Sequence, residues 1–229
     1  YGDRVVIIPY VMPGFDLAKE VVKIFSEESS DQTEGMILMN HGVFSFGNDA
    51  KESYDRMINL VSEAETYLIS QDAWKIKTSD FQRSSNQNSL EISELRYKIS
   101  STAGKSMLLH ITNSKEGLSF SNHKDVNSFA QRGPLTPDHV IRTKRIPMIG
   151  RDIDSYKNEY ISYFQSNEPN AKERKSMLDP APRVLLDKEL GLCSIGQSMK
   201  DIGIISDIYL QTIQSILRAE KLGGFKALP

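Results

Sequence analysis

Short apolar runs rich in β-branched residues alternate in this chain with longer stretches whose apolar residues recur every three or four positions. The first pattern predicts buried strands, and the second predicts helices packed by one face. Residues 4–10 (RVVIIPY) thus predict a strand stopped by Pro9, and Pro13-Gly14 turns the chain. Leu17, Val21, Ile24 and Phe25 place a helix over 16–28, with Asp16 as its N-cap. A polar loop over 29–33 leads to a second strand, 36–39, which runs directly into Asn40-His41-Gly42. Residues 43–46 continue as a strand until Gly47 breaks it. Asn48 or Asp49 then caps a long helix with Ala50, Tyr54, Met57, Val61, Ala64 and Leu68 on its core face.

The Ser/Asn/Gln-rich stretch 78–89 reads as a linker. After it, Ile92, Leu95 and Ile99 predict a helix that Gly104 stops. Strands are predicted over 107–111, 118–120 and, after the Gly133–Pro137 turn, 139–143. A helix over 153–164 precedes strands 183–186 and 192–195, joined by an Asp187-Lys188 turn, and a last helix fills 198–221. Strands alternating with amphipathic helices predict an α/β fold with helices covering a central sheet.

Two stretches echo each other. Gly42-Val43-Phe44-Ser45-Phe46-Gly47 and Gly191-Leu192-Cys193-Ser194-Ile195-Gly196 lie 149 residues apart. Each precedes a capped helix, one carrying Lys51 and Ala64-Glu65, the other Lys200 and Ala219-Glu220. The spacing predicts duplicated domains, with Leu190 in the place of His41.

Composition narrows the class of partner. With 28 Lys+Arg against 30 Asp+Glu and a pI near 6.1, the chain lacks the basic surplus of a nucleic-acid binder. No apolar run reaches the roughly 20 residues a membrane helix needs, so no membrane partner is expected. The lone Cys193 sits in an apolar strand pattern as a small buried hydrophobe, and a reducing cytoplasm is the expected compartment. The chain opens at Tyr1 and closes after Gly223-Gly224, so both ends read as cut from something longer.

Candidate chemistry is sparse. His41 stands at a strand end beside a glycine, where α/β folds gather sites; a hydrogen-bonded structural role and a metal-ligand role are both open. His110 reads as a strand residue, His123 as a solvated loop residue and His139 as a turn residue. No His-x-His, His-Glu-x-x-His or Cys-x-x-Cys spacing occurs. Arg142, Lys144 and Arg145 form a basic run at a strand end, either solvated or facing phosphate.

Ile8-Pro9-Tyr10, Pro13-Gly14-Phe15-Asp16-Leu17-Ala18 and Gly35-Met36-Ile37-Leu38-Met39-Asn40-His41-Gly42 resemble the C-terminal half of a class II aldolase/adducin domain. The Arg132–Lys144 stretch (RGPLTPDHVIRTK), Leu178-Asp179-Pro180-Ala181-Pro182-Arg183 and Ala219–Gly224 resemble one branch of that family. Its members fuse a rhamnulose-1-phosphate aldolase-like region to a short-chain (lactaldehyde) dehydrogenase. The resemblance implies a three-layer α/β/α fold on a mixed, largely antiparallel sheet. It implies an incomplete first aldolase domain over 1–77, the linker 78–89 and a degenerate second copy over 90–229.

His41 matches the third zinc ligand of the family. The first two ligands, a His-x-His, and the catalytic glutamate are expected before Tyr1, and a dehydrogenase using NAD(P) after Pro229. The resemblance further implies retro-aldol cleavage of a sugar phosphate to dihydroxyacetone phosphate and lactaldehyde, in a cytoplasmic homo-oligomer. The fragment alone is expected to be inactive. An adducin-like scaffold without catalysis, and an epimerase on the same metal, are the competing readings.

Overall fold

The structure, a computed structural model, describes residues 1–82, 88–137, 139–171 and 173–228. Part of the expected 78–89 linker, residues 83–87, and Asp138 of the Pro137-Asp138 turn lie outside the described residues.

Two mixed sheets are built from one repeated unit. In the first, β1 (Val5–Ile8) runs parallel to β2 (Gly35–Leu38), which pairs antiparallel with β3 (Gly42–Ser45). The crossover from β1 to β2 is α1 (Phe15–Glu28), and α2 (Ala50–Ser70) follows β3. After α3 (Ser89–Ala103) comes β4 (Leu108–Ile111), then the short helices α4 (Lys115–Ser121), α5 (Val126–Ala130) and α6 (His139–Thr143). The unit then recurs as β5 (Met148–Ile149), α7 (Ile153–Asn167), β6 (Val184–Asp187), β7 (Gly191–Gly196) and α8 (Met199–Lys221). The second sheet has the order β4-β7-β6-β5, with β5 parallel to β6 and the other pairs antiparallel.

The repeat is register-exact. Gly35 pairs with Ser45 and Met36 with Phe44; 149 residues later Val184 pairs with Ser194 and Leu185 with Cys193. The helix starts match as well: Asp49 accepts from Glu52 N, and Ser198 accepts from Asp201 N. Gly47 and Gly196 serve the same purpose. A Cβ on Gly47 would lie 2.8 Å from Ser53 N and 2.9 Å from Glu52 Cβ, and one on Gly196 would lie 2.9 Å from Asp201 Cβ. Only glycine lets the strand end pass this close to the first helical turn.

The second sheet is covered on both faces. Leu185, Cys193 and Ile195 pack with Leu95 and Ile99 of α3 and Ile153 and Tyr156 of α7. Val184, Leu186 and Leu192 pack with Phe120, Val126 and the α8 residues Ile205, Tyr209 and Ile213. Alternation of side chains sends successive strand residues into these two cores, producing three layers and continuous apolar strands. In the first sheet α1 covers Val6, Ile8 and Leu38 through Leu17, Val21, Ile24 and Phe25.

Several local expectations are corrected. Asp16 is not the cap of α1: Gly14 is, and Asp16 lies in the first turn, where its charge suits the helix dipole. Residues 118–120 and 139–143 are helical, in α4 and α6; Ser114 caps α4 through Gly117 N. In α2, Leu60 is the fully buried residue, whereas Tyr54 is 65% and Val61 50% exposed. The helix is rotated so that Leu60, the counterpart of Tyr209, meets the sheet near Gly35. β5 and α5 are too short for the sequence pattern to predict.

The two halves touch. The Arg218 guanidinium lies 4.1 Å from the Trp74 ring centre and donates to Trp74 O, while Lys221 pairs with Asp72.

Candidate functional site

The β2–β3 turn is set by backbone chemistry. His41 N donates to Leu38 O at 2.9 Å, and Met39 N donates to Ile8 O at 3.0 Å, tying the turn to the end of β1. Asn40 takes the left-handed conformation (φ 61°), which asparagine tolerates better than most residues. Its side chain donates to Leu135 O at 3.4 Å, so the His41 turn rests on the Gly133–Pro137 turn of the second half.

Because β1 and β2 are parallel, their carboxyl ends lie side by side, where α/β sheets present ligands. The half-buried His41 ring faces the segment leaving β1. It stacks on Tyr10, with ring centres 5.5 Å apart and planes 21° from parallel, and its Nε2 lies 3.0 Å from Val11 O. A carbonyl only accepts, so Nε2 carries a proton, which leaves Nδ1 as the nitrogen able to offer a lone pair. A backbone acceptor on one nitrogen is how proteins orient a histidine for metal binding through the other.

The donor set of the described residues stops there. No group of three or more His, Cys, Asp or Glu comes together among them. His41 therefore fits a divalent cation as one donor and does not by itself form a complete site.

The other sequence candidates are dispersed. His110 is exposed on β4 opposite Ser194. His123 Nδ1 accepts from Asp125 N at 3.1 Å, and its ring lies 5.0 Å from that of Phe129. His139 opens α6, where its carbonyl accepts from Thr143. Cys193 is fully buried in the second sheet. The basic run splits: Arg142 is exposed, Lys144 is buried, and Arg145 lies over the Tyr163 ring.

At the equivalent turn of the second half the chemistry is replaced. Leu190 is 2% exposed in the core beneath α3. Asp187 Oδ1 accepts from Glu189 N and Leu190 N, each at 2.9 Å. Arg151 clasps the same carboxylate in bidentate fashion, Nε to Oδ2 at 2.7 Å and Nη2 to Oδ1 at 3.0 Å, and also meets Glu189 at 2.7 Å. Burial pushes the Asp187 carboxyl up, but Arg151 and the two backbone amides outweigh it and hold the group below its ordinary value. Pattern reading missed this clasp, because its partners are 36 residues apart and join only through the fold. It also missed Val11, whose contribution is a backbone carbonyl.

Comparison with known proteins matches this geometry to a family. Residues 86–229 match "Aldolase class II, second domain", and residues 1–68 match "Class II Aldolase and Adducin N-terminal domain". An uncharacterized oxidoreductase of Bacillus subtilis (strain 168), YuxG, is 25% identical over 254 residues. That match takes in the whole of this chain, which spans about a third (36%) of the relative's length. No solved structure matches significantly. With the repeated unit in both halves and a family match on each, the chain belongs to the class II aldolase/adducin family.

Proposed function

We propose that this chain is part of a divalent-metal-dependent aldolase in which His41 is one protein ligand of the metal, zinc by the family resemblance. The observation that carries this reading is the His41 ring itself, fixed at the carboxyl ends of two parallel strands with Nε2 bonded to Val11 O. The reading divides the chain into a first domain over 1–77, a connector over 78–89 and a second domain over 90–229. The remaining ligands and the proton-transferring carboxylate would come from outside these residues. When bound, the metal supplies Lewis-acid stabilisation of the negative charge that develops as a carbon–carbon bond is cleaved. The chain's own part is to hold one neutral imidazole in a fixed orientation, with Tyr10 limiting its rotation.

The substrate class is a phosphorylated ketose such as rhamnulose 1-phosphate, cleaved to dihydroxyacetone phosphate and an aldehyde. A relative described as an oxidoreductase, much longer than this chain, supports a fused dehydrogenase that would oxidise that aldehyde with NAD(P). The protein would work as a cytoplasmic homo-oligomer; no helix among the described residues is long and apolar enough to cross a membrane. The test is the retro-aldol reaction of the intact protein on rhamnulose 1-phosphate, with the released aldehyde measured directly. Activity in the parent and its loss in His41→Ala support the reading; equal activity in both overturns it.

A second reading, an adducin-like scaffold without catalysis, draws support from the second domain. There the imidazole position is a buried leucine and the turn is closed by an arginine–carboxylate clasp. Under it, neither the parent nor the variant cleaves the ketose.

A further inference from the structure

A cavity remote in sequence from His41 gathers more positive than negative charge in the second half. It measures about 240 Å³ and lies between the end of β7 and the start of α8, bounded by Gly196, Gln197 and Asp201. Lys105, Arg142, Asp179 and Arg183 line its other side. Both carboxylates hold local partners through Oδ2, while Asp179 Oδ1 is buried without a hydrogen-bond partner among the described residues. Asp179 Oδ2 accepts from Arg183 Nη2 at 2.6 Å and lies 3.2 Å from Lys105 Nζ, while Asp201 Oδ2 accepts from Ser198 Oγ at 2.9 Å.

Two cations remain. Arg142 has no ion-pair partner among the described residues. Lys144, 3% exposed, reaches a neutral acceptor, the carbonyl of Asp179, and lies 3.9 Å from the Tyr160 ring centre. Its backbone is left-handed, with φ at 64°, a conformation a lysine adopts only where its surroundings impose it. Burial pushes the Lys144 ammonium down to about 8; repulsion from Arg183 and Lys105 acts in the same direction, and attraction to the Asp179 carboxylate opposes it in part. Three cations and two carboxylates line the hollow, with Lys144 behind Asp179, so the set carries a net positive charge that an anion would offset.

We infer that this cavity of the second domain binds a phosphate group, free or as the monoester of a small polyol, through Arg142, Lys105 and Arg183, with Lys144 behind them. Guanidinium groups suit this role because their paired N–H donors match two phosphate oxygens. The volume falls below the roughly 300 Å³ at which drug-sized ligand pockets begin, which fits a small anion. The inference stands apart from the His41 reading, since none of these residues touches that turn. It also gives the second domain a ligand of its own.

The test is calorimetric titration of the protein at pH 7 with inorganic phosphate and, separately, with glycerol 1-phosphate. Lys105→Gln/Arg142→Gln removes two exposed or half-exposed cations, and thermal melting verifies that this variant stays folded. Binding by the parent, weakened at least about tenfold in the double variant and unchanged in the surface control Lys51→Gln, supports the site. Tighter binding of the monoester identifies an esterified ligand, and equal binding identifies free phosphate; either agrees with the inference. Absence of binding up to about 10 mM overturns it, as does equal affinity in the folded double variant.

Discussion

His41 and Leu190 occupy the same position of two hairpins whose registers coincide at a spacing of 149 residues, yet their side chains meet opposite environments. The imidazole lies over Tyr10 with a hydrogen bond to Val11 O, while the leucine is 2% exposed among Leu95, Ile99 and Met107. One half keeps a polar ring at the sheet's carboxyl edge. The other has α3 laid over that edge and fills the position with a hydrocarbon.

The two positions should therefore differ in what they contribute to stability. Leu190→Ala is expected to destabilise the fold by about 3 kcal/mol, the usual cost of truncating a buried leucine. His41→Ala should cost about 1 kcal/mol, one hydrogen bond and a ring contact at a half-buried site. Urea unfolding of the two variants checks the contrast, and equal losses would contradict it.

Gly47 and Gly196 supply a test of the repeat itself. Each passes so close to the following helix that an added Cβ would lie within 2.9 Å of its first turn. Gly47→Ala and Gly196→Ala should each cost about 1–3 kcal/mol through forced displacement. Gly203, with nothing within 4 Å of an added Cβ, should accept alanine and gain helix propensity. Thermal melts of the three variants read this out.

The Asp187–Arg151 clasp predicts a pH dependence with a definite sign. The native carboxyl is held below its ordinary value of 3.8, so the folded state binds its proton less readily than the unfolded chain. Its contribution is complete above pH 3.8 and is lost as pH falls further, through the native value. Asp187→Asn should lose about 2 kcal/mol at neutral pH, and its deficit against the parent should shrink on acidification below that point. Denaturation curves across that range measure it; a deficit that stays constant with pH would refute the clasp's electrostatic role.

Much of the architecture was legible because its cause is local. Strands β6 and β7 are sandwiched between helices, so they read as continuous apolar runs, and the caps Asp49 and Ser198 mark the helix starts directly. Where short apolar runs were misread, the period was ambiguous: Leu118-Ser119-Phe120 and Val140-Ile141 are too short to separate strand from helix, and the Ser114 cap decides α4. β5 is two residues long, between Pro147 and Gly150, and leaves no pattern. At the site, His41 stood out by type and place. Val11 could not, since a backbone carbonyl carries no sequence signature, and neither could Arg151, whose partner Asp187 arrives through β5–β6 pairing.

The proposed role of His41 is to ligate a metal through its imidazole. Metal content of the intact protein, purified without chelator and measured by mass spectrometry for the parent and His41→Ala, tests this most directly. About one divalent ion per chain in the parent, falling severely in the folded variant, is the predicted result. Equal occupancy in the two proteins would contradict it.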